Sequence, residues 1–165
     1  MLDQQWLQFV VALCLLSAQS GLEAGYPIVG RASGTLAVQS APDADWRVIS
    51  AGGILPDVGE AKTAATGPGH LQSDQGTLSL GPLSHVQFDL TARQATLLMG
   101  RVFCAPAADK PWTITAGTSR ISITAGGAEV SIDSQGNLTV TALKAPAEIT
   151  LPGSPLVTVA ERTVF

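Results

Sequence analysis

The chain has 165 residues, about the length of one domain, and a formal net charge of −4. Hydrophobic residues make up 45%, aromatic residues 5% and charged residues 13%, a composition typical of many short strands joined by tight turns. The nine Lys and Arg residues are scattered singly, so no basic patch is available for nucleic acid and we exclude that class of partner.

The first predicted element is an apolar run from Trp6 to Leu16, which has two interpretations. As a membrane anchor, residues 5–22 would span roughly 27 Å at about 1.5 Å per residue, slightly short of a typical hydrocarbon core. As a signal peptide, the run has a suitable length and a small-x-small motif at Ala18-Gln19-Ser20, although "MLDQQ" before it carries no positive charge. The side chains that would form the anchor are Trp6, Phe9, Val10, Val11, Leu13, Leu15 and Leu16.

Both interpretations export the rest of the chain, because only a few residues precede the apolar run. We therefore divide the sequence into residues 1–25, a membrane anchor or signal segment, and residues 26–165, an exported β domain.

The exported part is a series of short segments with apolar residues at every second position, the period of a strand. Glycine-rich and proline-containing turns separate them. The predicted strands are residues 35–39, 46–50, 61–66, 70–74, 77–81, 85–90, 95–104, 112–116, 120–125, 128–133, 137–143, 147–151 and 156–161. The fold prediction is all-β, an antiparallel sandwich, jelly-roll-like fold or short solenoid-like roll, preceded by one N-terminal apolar helix.

The most regular stretch is "GTLSLGPLSHVQFD", residues 76–89. Its alternation predicts two consecutive strands with inward-facing Leu78, Leu80, Val86 and Phe88. Pro82 has no N–H to donate and restricts the residue before it, so the Gly81-Pro82 pair predicts a corner between the strands.

This stretch also resembles the sensor domain of the FecR family, in which a strand ends in Leu-Gly-Pro-Asn-Ser and an alternating strand follows. Leu83 stands here in the usual place of Asn, and Lys144 follows the closing hairpin, "AEVSIDSQGNLTVTAL", where a Gly is usual. The similarity covers about residues 28–162, including "GEAKT", which ends at Thr63, and "LLMGRVF". The matched positions are Trp46, Gly76, Leu80, Gly81, Pro82, Ser84, Gly100 and Trp112.

The resemblance implies a bacterial periplasmic β domain. Full-length regulators of this family are anti-sigma proteins with a cytoplasmic sigma-binding part, a transmembrane helix, this domain and a C-terminal segment that contacts an outer-membrane receptor. Five residues before the apolar run cannot form the sigma-binding part, and no receptor-contacting extension follows Phe165. We therefore do not expect this chain alone to signal by that route.

Candidate catalytic residues are few. Ser84, His85 and Asp89 can be written as a triad, but neighbours in one strand point to opposite faces. A metal site from His70, Asp74, His85 and Asp89 lacks a supporting Cys or carboxylate cluster. We expect no catalytic residue, metal or other cofactor.

Other notable residues have structural interpretations. Cys104 is expected to be a small core residue without a disulfide to Cys14, and Asn137 a hairpin-turn residue and not a glycosylation site. Trp46 and Trp112 are expected to pack in the core.

The function that we expect is that of a non-catalytic, membrane-anchored exported β domain, an interaction module or accessory structural subunit of a larger membrane complex. Its partners would be membrane-embedded or membrane-associated proteins, and its location the bacterial inner membrane, with a single pass and the β domain in the periplasm. One alternative is a periplasmic FecR-type sensor module. Another is a secreted or periplasmic ligand-binding envelope protein, released by signal cleavage.

Overall fold

A computed structural model describes residues 30–108, 110–151 and 154–160, and this part of the chain is all-β, with fifteen strands and no helix. The predicted N-terminal helix and all seven predicted anchor residues lie outside the described residues. The strands are β1 (Gly30–Gly34), β2 (Leu36–Gln39), β3 (Arg47–Ile49), β4 (Ile54–Leu55), β5 (Val58–Lys62), β6 (Gly69–Ser73), β7 (Gly76–Leu80), β8 (His85–Asp89), β9 (Gln94–Pro106), β10 (Trp112–Ala116), β11 (Ser119–Ile123), β12 (Gly127–Ile132), β13 (Leu138–Leu143), β14 (Ala147–Thr150) and β15 (Val157–Val159).

The strands form two ladders that share β9. Sheet A has the order β4-β1-β6-β7-β9-β12-β13, and sheet B has the order β3-β2-β5-β8-β9-β10-β11-β14-β15. The first part of β9 pairs with β8 and β10, and the part from Gly100 onward pairs with β7 and β12. Gly100 lies where β9 passes from sheet B to sheet A. Its φ of 84° is a backbone conformation that residues other than glycine rarely adopt.

The pairing between β9 and β10 is parallel, whereas every other pair is antiparallel. The all-β prediction is confirmed, but the sheet is mixed, so the predicted antiparallel arrangement is wrong at this pair. Parallel neighbours need a long crossover, and here the second half of β9, which lies in sheet A, supplies about half of it. The chain then returns at Trp112 to lie beside the start of β9 in sheet B.

One cluster of buried side chains draws on both sheets. The alternating burial of β10 and β11 shows that each strand turns one face inward, as the period-2 pattern predicts. Leu78, Leu80, Val86 and Phe88 are all buried, which confirms the prediction for the most regular stretch. Cys104 also lies in this cluster as a free thiol, and its burial raises the pKa of the thiol far above the ordinary value.

The thirteen predicted segments all meet strands, but two strands were not predicted and one was misplaced. Strand β1 has the sequence "GRASG", without apolar alternation, and β4 has only two residues. Strand β5 ends at Lys62 and begins at Val58, so it overlaps the predicted segment 61–66 by two residues. Strands without an alternating apolar pattern leave little signal in the sequence.

Candidate functional site

Several residues of the FecR-like pattern lie together at the corner between β7 and β8. The Ser84 hydroxyl donates to the carbonyl oxygen of Arg101 at 2.9 Å and accepts from the Arg101 N–H at 2.9 Å. The Thr63 hydroxyl donates to the Gly81 carbonyl at 2.6 Å and accepts from the Ser84 N–H at 2.9 Å. This corner therefore satisfies buried backbone groups where the chain leaves sheet A for sheet B.

Two glycines of the pattern, Gly100 and Gly76, leave no room for a side chain. A Cβ at Gly100 would lie 2.6 Å from the Ser84 Oγ and 2.8 Å from the Leu83 carbonyl oxygen. A Cβ at Gly81 would meet only the exposed Arg101 side chain, 2.6 Å from its Nε, and that side chain can move away. Gly76, at the start of β7, has a φ of 136°, and a Cβ there would lie 2.5 Å from the Ala105 carbonyl oxygen. The Leu80 side chain is buried, while Pro82 is exposed at the bend. All of these contacts hold the fold together, so the corner is scaffold.

The two tryptophans of the pattern differ. Trp112 is 1% exposed, and its Nε1–H donates to the Gln75 carbonyl at 2.8 Å, which joins β10 to the turn between β6 and β7. Trp46 is 38% exposed and lies just before β3. The prediction of a core position is confirmed for Trp112 and wrong for Trp46, because the face of sheet B that carries Trp46 points away from the core.

The structure does not assemble the Ser84, His85 and Asp89 triad. The Ser84 hydroxyl is bound to the Arg101 backbone, and His85 lies instead against Glu60. Asp89 accepts from the N–H of Ala92 at 2.7 Å in the following turn.

The four candidate metal ligands are also kept apart. His70, in sheet A, contacts the Ser79 hydroxyl at 2.8 Å through Nδ1, while His85 lies in sheet B. Asp74 is in a turn, 3.5 Å from the Lys110 Nζ. Among the described residues, no group of three or more His, Cys, Asp and Glu side chains is placed to hold a metal ion.

The strongest candidate site is on the outward face of sheet B. The pairing register places Val48, Ala37, Lys62, His85 and Met99 in one row across β3, β2, β5, β8 and β9. We define the Trp46 surface as Trp46, Val48, Lys62, His85 and Met99. Three of its side chains are apolar and exposed: Trp46 is 38%, Val48 71% and Met99 54% exposed.

The Trp46 ring is held by two neighbours. The Lys62 Nζ lies 4.0 Å from the ring centroid, and the His85 ring meets it edge-on with the centroids 6.1 Å apart. A cation over an exposed indole contributes about 0.5–1 kcal/mol. Both contacts favour this orientation of the indole, and more than a third of the residue is exposed to solvent.

A polar group flanks these rings. His85 Nε2 lies 2.7 Å from Glu60 Oε2, and the Gln87 amide donates to Glu60 Oε1 at 2.9 Å. The hydrogen bond from Gln87, followed by that from His85, holds the pKa of the Glu60 carboxyl below its ordinary value, so Glu60 is a carboxylate at neutral pH. This surface can bury an aromatic and two aliphatic side chains and offer a carboxylate at its border.

A groove of about 280 Å³ lies next to this surface, between the segment after β2 and the strands β5, β8 and β9. Its polar lining includes Glu60, Gln87, Asp89, Gln94 and Thr96. Carboxylates, amides and hydroxyls can together form hydrogen bonds with a polar ligand.

Sequence reasoning did not find the Trp46 surface. The segment "WRVIS" places Trp46 and Val48 on one face of a strand and Ile49 on the other, and this pattern also allows an exposed face with Trp46 and Val48. The sequence analysis instead predicted a core position for Trp46. Asn137 was placed correctly in a hairpin turn, where the Asp133 carboxylate accepts from its backbone N–H at 2.9 Å and its side-chain amide at 2.7 Å. These bonds lower the pKa of Asp133.

Within residues 30–108, 110–151 and 154–160, no helix is long and apolar enough to cross a membrane. Comparison with protein-family models, with curated proteins and with solved structures gave no match. The resemblance to the FecR family therefore stays a prediction from the sequence.

Proposed function

We propose that this protein is a non-catalytic, membrane-anchored exported β domain that binds a protein partner as an accessory subunit of a membrane complex. The observation that carries the proposal is the Trp46 surface. Interaction sites are rich in aromatic residues and Met, and their anchors are held rigidly before binding. Trp46, clamped by Lys62 and His85, has both properties.

The fold supports the same proposal. Trp46 itself lies just before β3, but Lys62 and His85, which contact its ring, lie on the paired strands β5 and β8. Side chains on strands are positioned more exactly than those on loops, so these two residues give the binding face a rigid base. The apolar run at Trp6–Leu16 would hold this body at the membrane and bring the surface to a membrane protein.

The test is to purify the full-length chain from native membranes in mild detergent and weigh the intact complex by mass spectrometry. For the wild type we expect the full-length mass together with partner proteins that co-purify in stoichiometric amounts. The double variant Trp46→Ala, Val48→Ser should lose these partner proteins. Wild-type protein that carries no companion would contradict the proposal.

A matched control is available on another short edge strand. Ile54 in β4 is 74% exposed, close to the 71% of Val48. We expect Ile54→Ser to keep the companions. If Ile54→Ser and the double variant behave alike, the Trp46 surface is not the binding site.

The groove favours a second candidate function, a secreted ligand-binding envelope protein. Its lining combines apolar side chains such as Val58 and Phe88 with polar ones such as Glu60 and Gln87, which suits a small ligand with both apolar and polar groups. This function would not need a membrane anchor. A mature mass that begins at Gly21 or Gly25, without companions, would support this candidate. The same cleavage would exclude the FecR-type sensor alternative, which requires the anchor helix to reach a cytoplasmic protein.

A further inference from the structure

The groove beside the Trp46 surface has a floor formed by outward-facing side chains of sheet B. The pairing register sets these side chains in two adjacent rows across β2, β5, β8 and β9. The first row is Gln39, Glu60, Gln87 and Thr96, and the second is Val58, Asp89 and Gln94. Neighbouring side chains on one face of a sheet are close enough to act on the same ligand.

Two amide nitrogens of this floor are already used inside the protein. Gln39 is only 9% exposed, and its Nε2 donates to the carbonyl oxygens of Pro42 and Ala44. The Gln87 Nε2 donates to Glu60 Oε1 at 2.9 Å. These three partners are acceptors, so each amide must turn its nitrogen to them. No described residue donates to either amide oxygen, and both oxygens are therefore available to a ligand.

The same floor carries two carboxylates and no cation. Glu60 and Asp89 are diagonal neighbours on β5 and β8, positions that lie roughly 7–8 Å apart in an antiparallel pair. The lining contains no Lys, Arg or His, and no Lys or Arg of the described residues forms an ion pair with either carboxylate. Lys62 lies over the Trp46 ring instead. The groove thus has negative charge and an excess of acceptors, which favours a positively charged ligand with several donors.

The apolar part of the lining suits the stem of a basic side chain. Pro42 and Val58 add apolar surface beside the carboxylates. Lys and Arg side chains bury their methylene stems along apolar surface and keep the charged head group in a polar environment. The Lys ammonium has three donors, the Arg guanidinium has five, and neither has an acceptor. Both head groups therefore match the oxygens of the floor.

Glu60 connects the groove to the Trp46 surface. Its side chain lines the groove, and its Oε2 lies 2.7 Å from His85 Nε2. We propose that the groove binds a Lys or Arg side chain of the protein partner whose apolar side chains contact the Trp46 surface. The source of this cation rests on the proposed function, whereas the preference of the groove for a cation does not.

The first test measures the preference for a cation on the full-length chain in mild detergent. The probe is butylguanidinium, which represents the Arg side chain, and the control is butylurea, which has the same number of non-hydrogen atoms and no charge. We expect ligand-observed NMR to give a Kd on the order of 1 mM for butylguanidinium and binding at least about tenfold weaker for butylurea.

Two single variants show whether the probe binds in the groove. Glu60→Gln removes one carboxylate of the floor and should weaken butylguanidinium binding about tenfold or more. Glu148→Gln is the matched control, because Glu148 is an exposed carboxylate on β14 of sheet B and outside the groove lining. It should bind the probe like the wild type, and so should Trp46→Ala, Val48→Ser.

The second test repeats the co-purification of partner proteins from native membranes. Glu60→Gln should recover about tenfold less partner protein than the wild type, while Glu148→Gln should recover the same amount. Full recovery with Glu60→Gln would overturn the assignment of the groove to the partner.

The two tests separate this proposal from the proposed function. Equal binding of butylguanidinium and butylurea, or equal binding by Glu60→Gln and Glu148→Gln, would overturn the preference for a cation even if partner proteins co-purify. A wild type without partner proteins would contradict the proposed function and the partner as the source. Selective binding of butylguanidinium in that case would support a free organic cation as the ligand of the groove.

Discussion

Trp46 and Trp112 show how far a residue's environment follows from its neighbours in sequence. In "WTITA" the face of Trp112 continues with Ile114 and Ala116, and all three are buried. In "WRVIS" both faces carry an apolar residue, because Val48 follows Trp46 on one face and Ile49 lies on the other. Alternation separates the two faces of a strand, but it does not tell which of two apolar faces meets the core.

Truncating the two residues to Ala should therefore lower the stability of the protein by different amounts. We expect Trp112→Ala to lower the free energy of unfolding by about 3–5 kcal/mol, because it leaves a cavity and also removes the hydrogen bond to Gln75. Trp46→Ala should cost no more than about 1 kcal/mol, since it removes an exposed contact with Lys62. Denaturant unfolding of both variants measures the difference, and similar losses would contradict the assignment of Trp46 to the surface.

At the scale of elements, β9 is the strand that determines the topology. Its thirteen residues were predicted largely as one strand, over 95–104, and Gly100 was recognised as part of the FecR-like pattern. The sequence did not show that the two halves pair in different sheets. Hydrogen-bond partners of a strand are distant in sequence, so only the folded chain reveals them.

Gly100 can be tested against a glycine with the same backbone conformation. Gly100 and Gly136 have φ values of 84° and 83°, but a Cβ at Gly136 would have no neighbour within 4 Å. Gly136→Ala should therefore cost only the conformational penalty, about 1–2 kcal/mol. Gly100→Ala should cost about 1–3 kcal/mol more, because its methyl group would overlap Ser84 and Leu83.

The measurement is the free energy of unfolding of both variants under the same conditions. Equal losses would mean that the corner around Ser84 yields to the added methyl group, and that the close contact is not what requires glycine at position 100.

At the scale of the whole molecule, one core and one shared strand join the two sheets. The two halves of β9 pair in different sheets, so unfolding of β9 would remove a central strand from both sheets. The buried cluster likewise contains side chains from both sheets. The described part of the chain should therefore unfold as one cooperative unit, although the edge strands β3, β4 and β15 have only two or three residues each.

Hydrogen exchange followed by mass spectrometry tests this cooperativity. We expect peptides from β7 and β8, which lie in different sheets, to share the slowest exchange and one free energy of opening, while β3 and β4 exchange faster. Two distinct opening free energies for the centres of sheet A and sheet B would show instead that the sheets unfold separately.

The sequence by itself determined the all-β class and the approximate position of most strands. It also determined the corner at Gly81-Pro82 and the burial of Leu78, Leu80, Val86 and Phe88. These features follow from local causes: the two-residue period of a strand and the backbone restrictions of glycine and proline. Only the tertiary structure decided that β9 serves two sheets, that β10 runs parallel to it, that Trp46 joins Val48 and Met99 outside, and that Glu60 and Asp89 line one groove. Each of these depends on which strands become neighbours, and neighbours are selected by contacts between residues far apart in the chain.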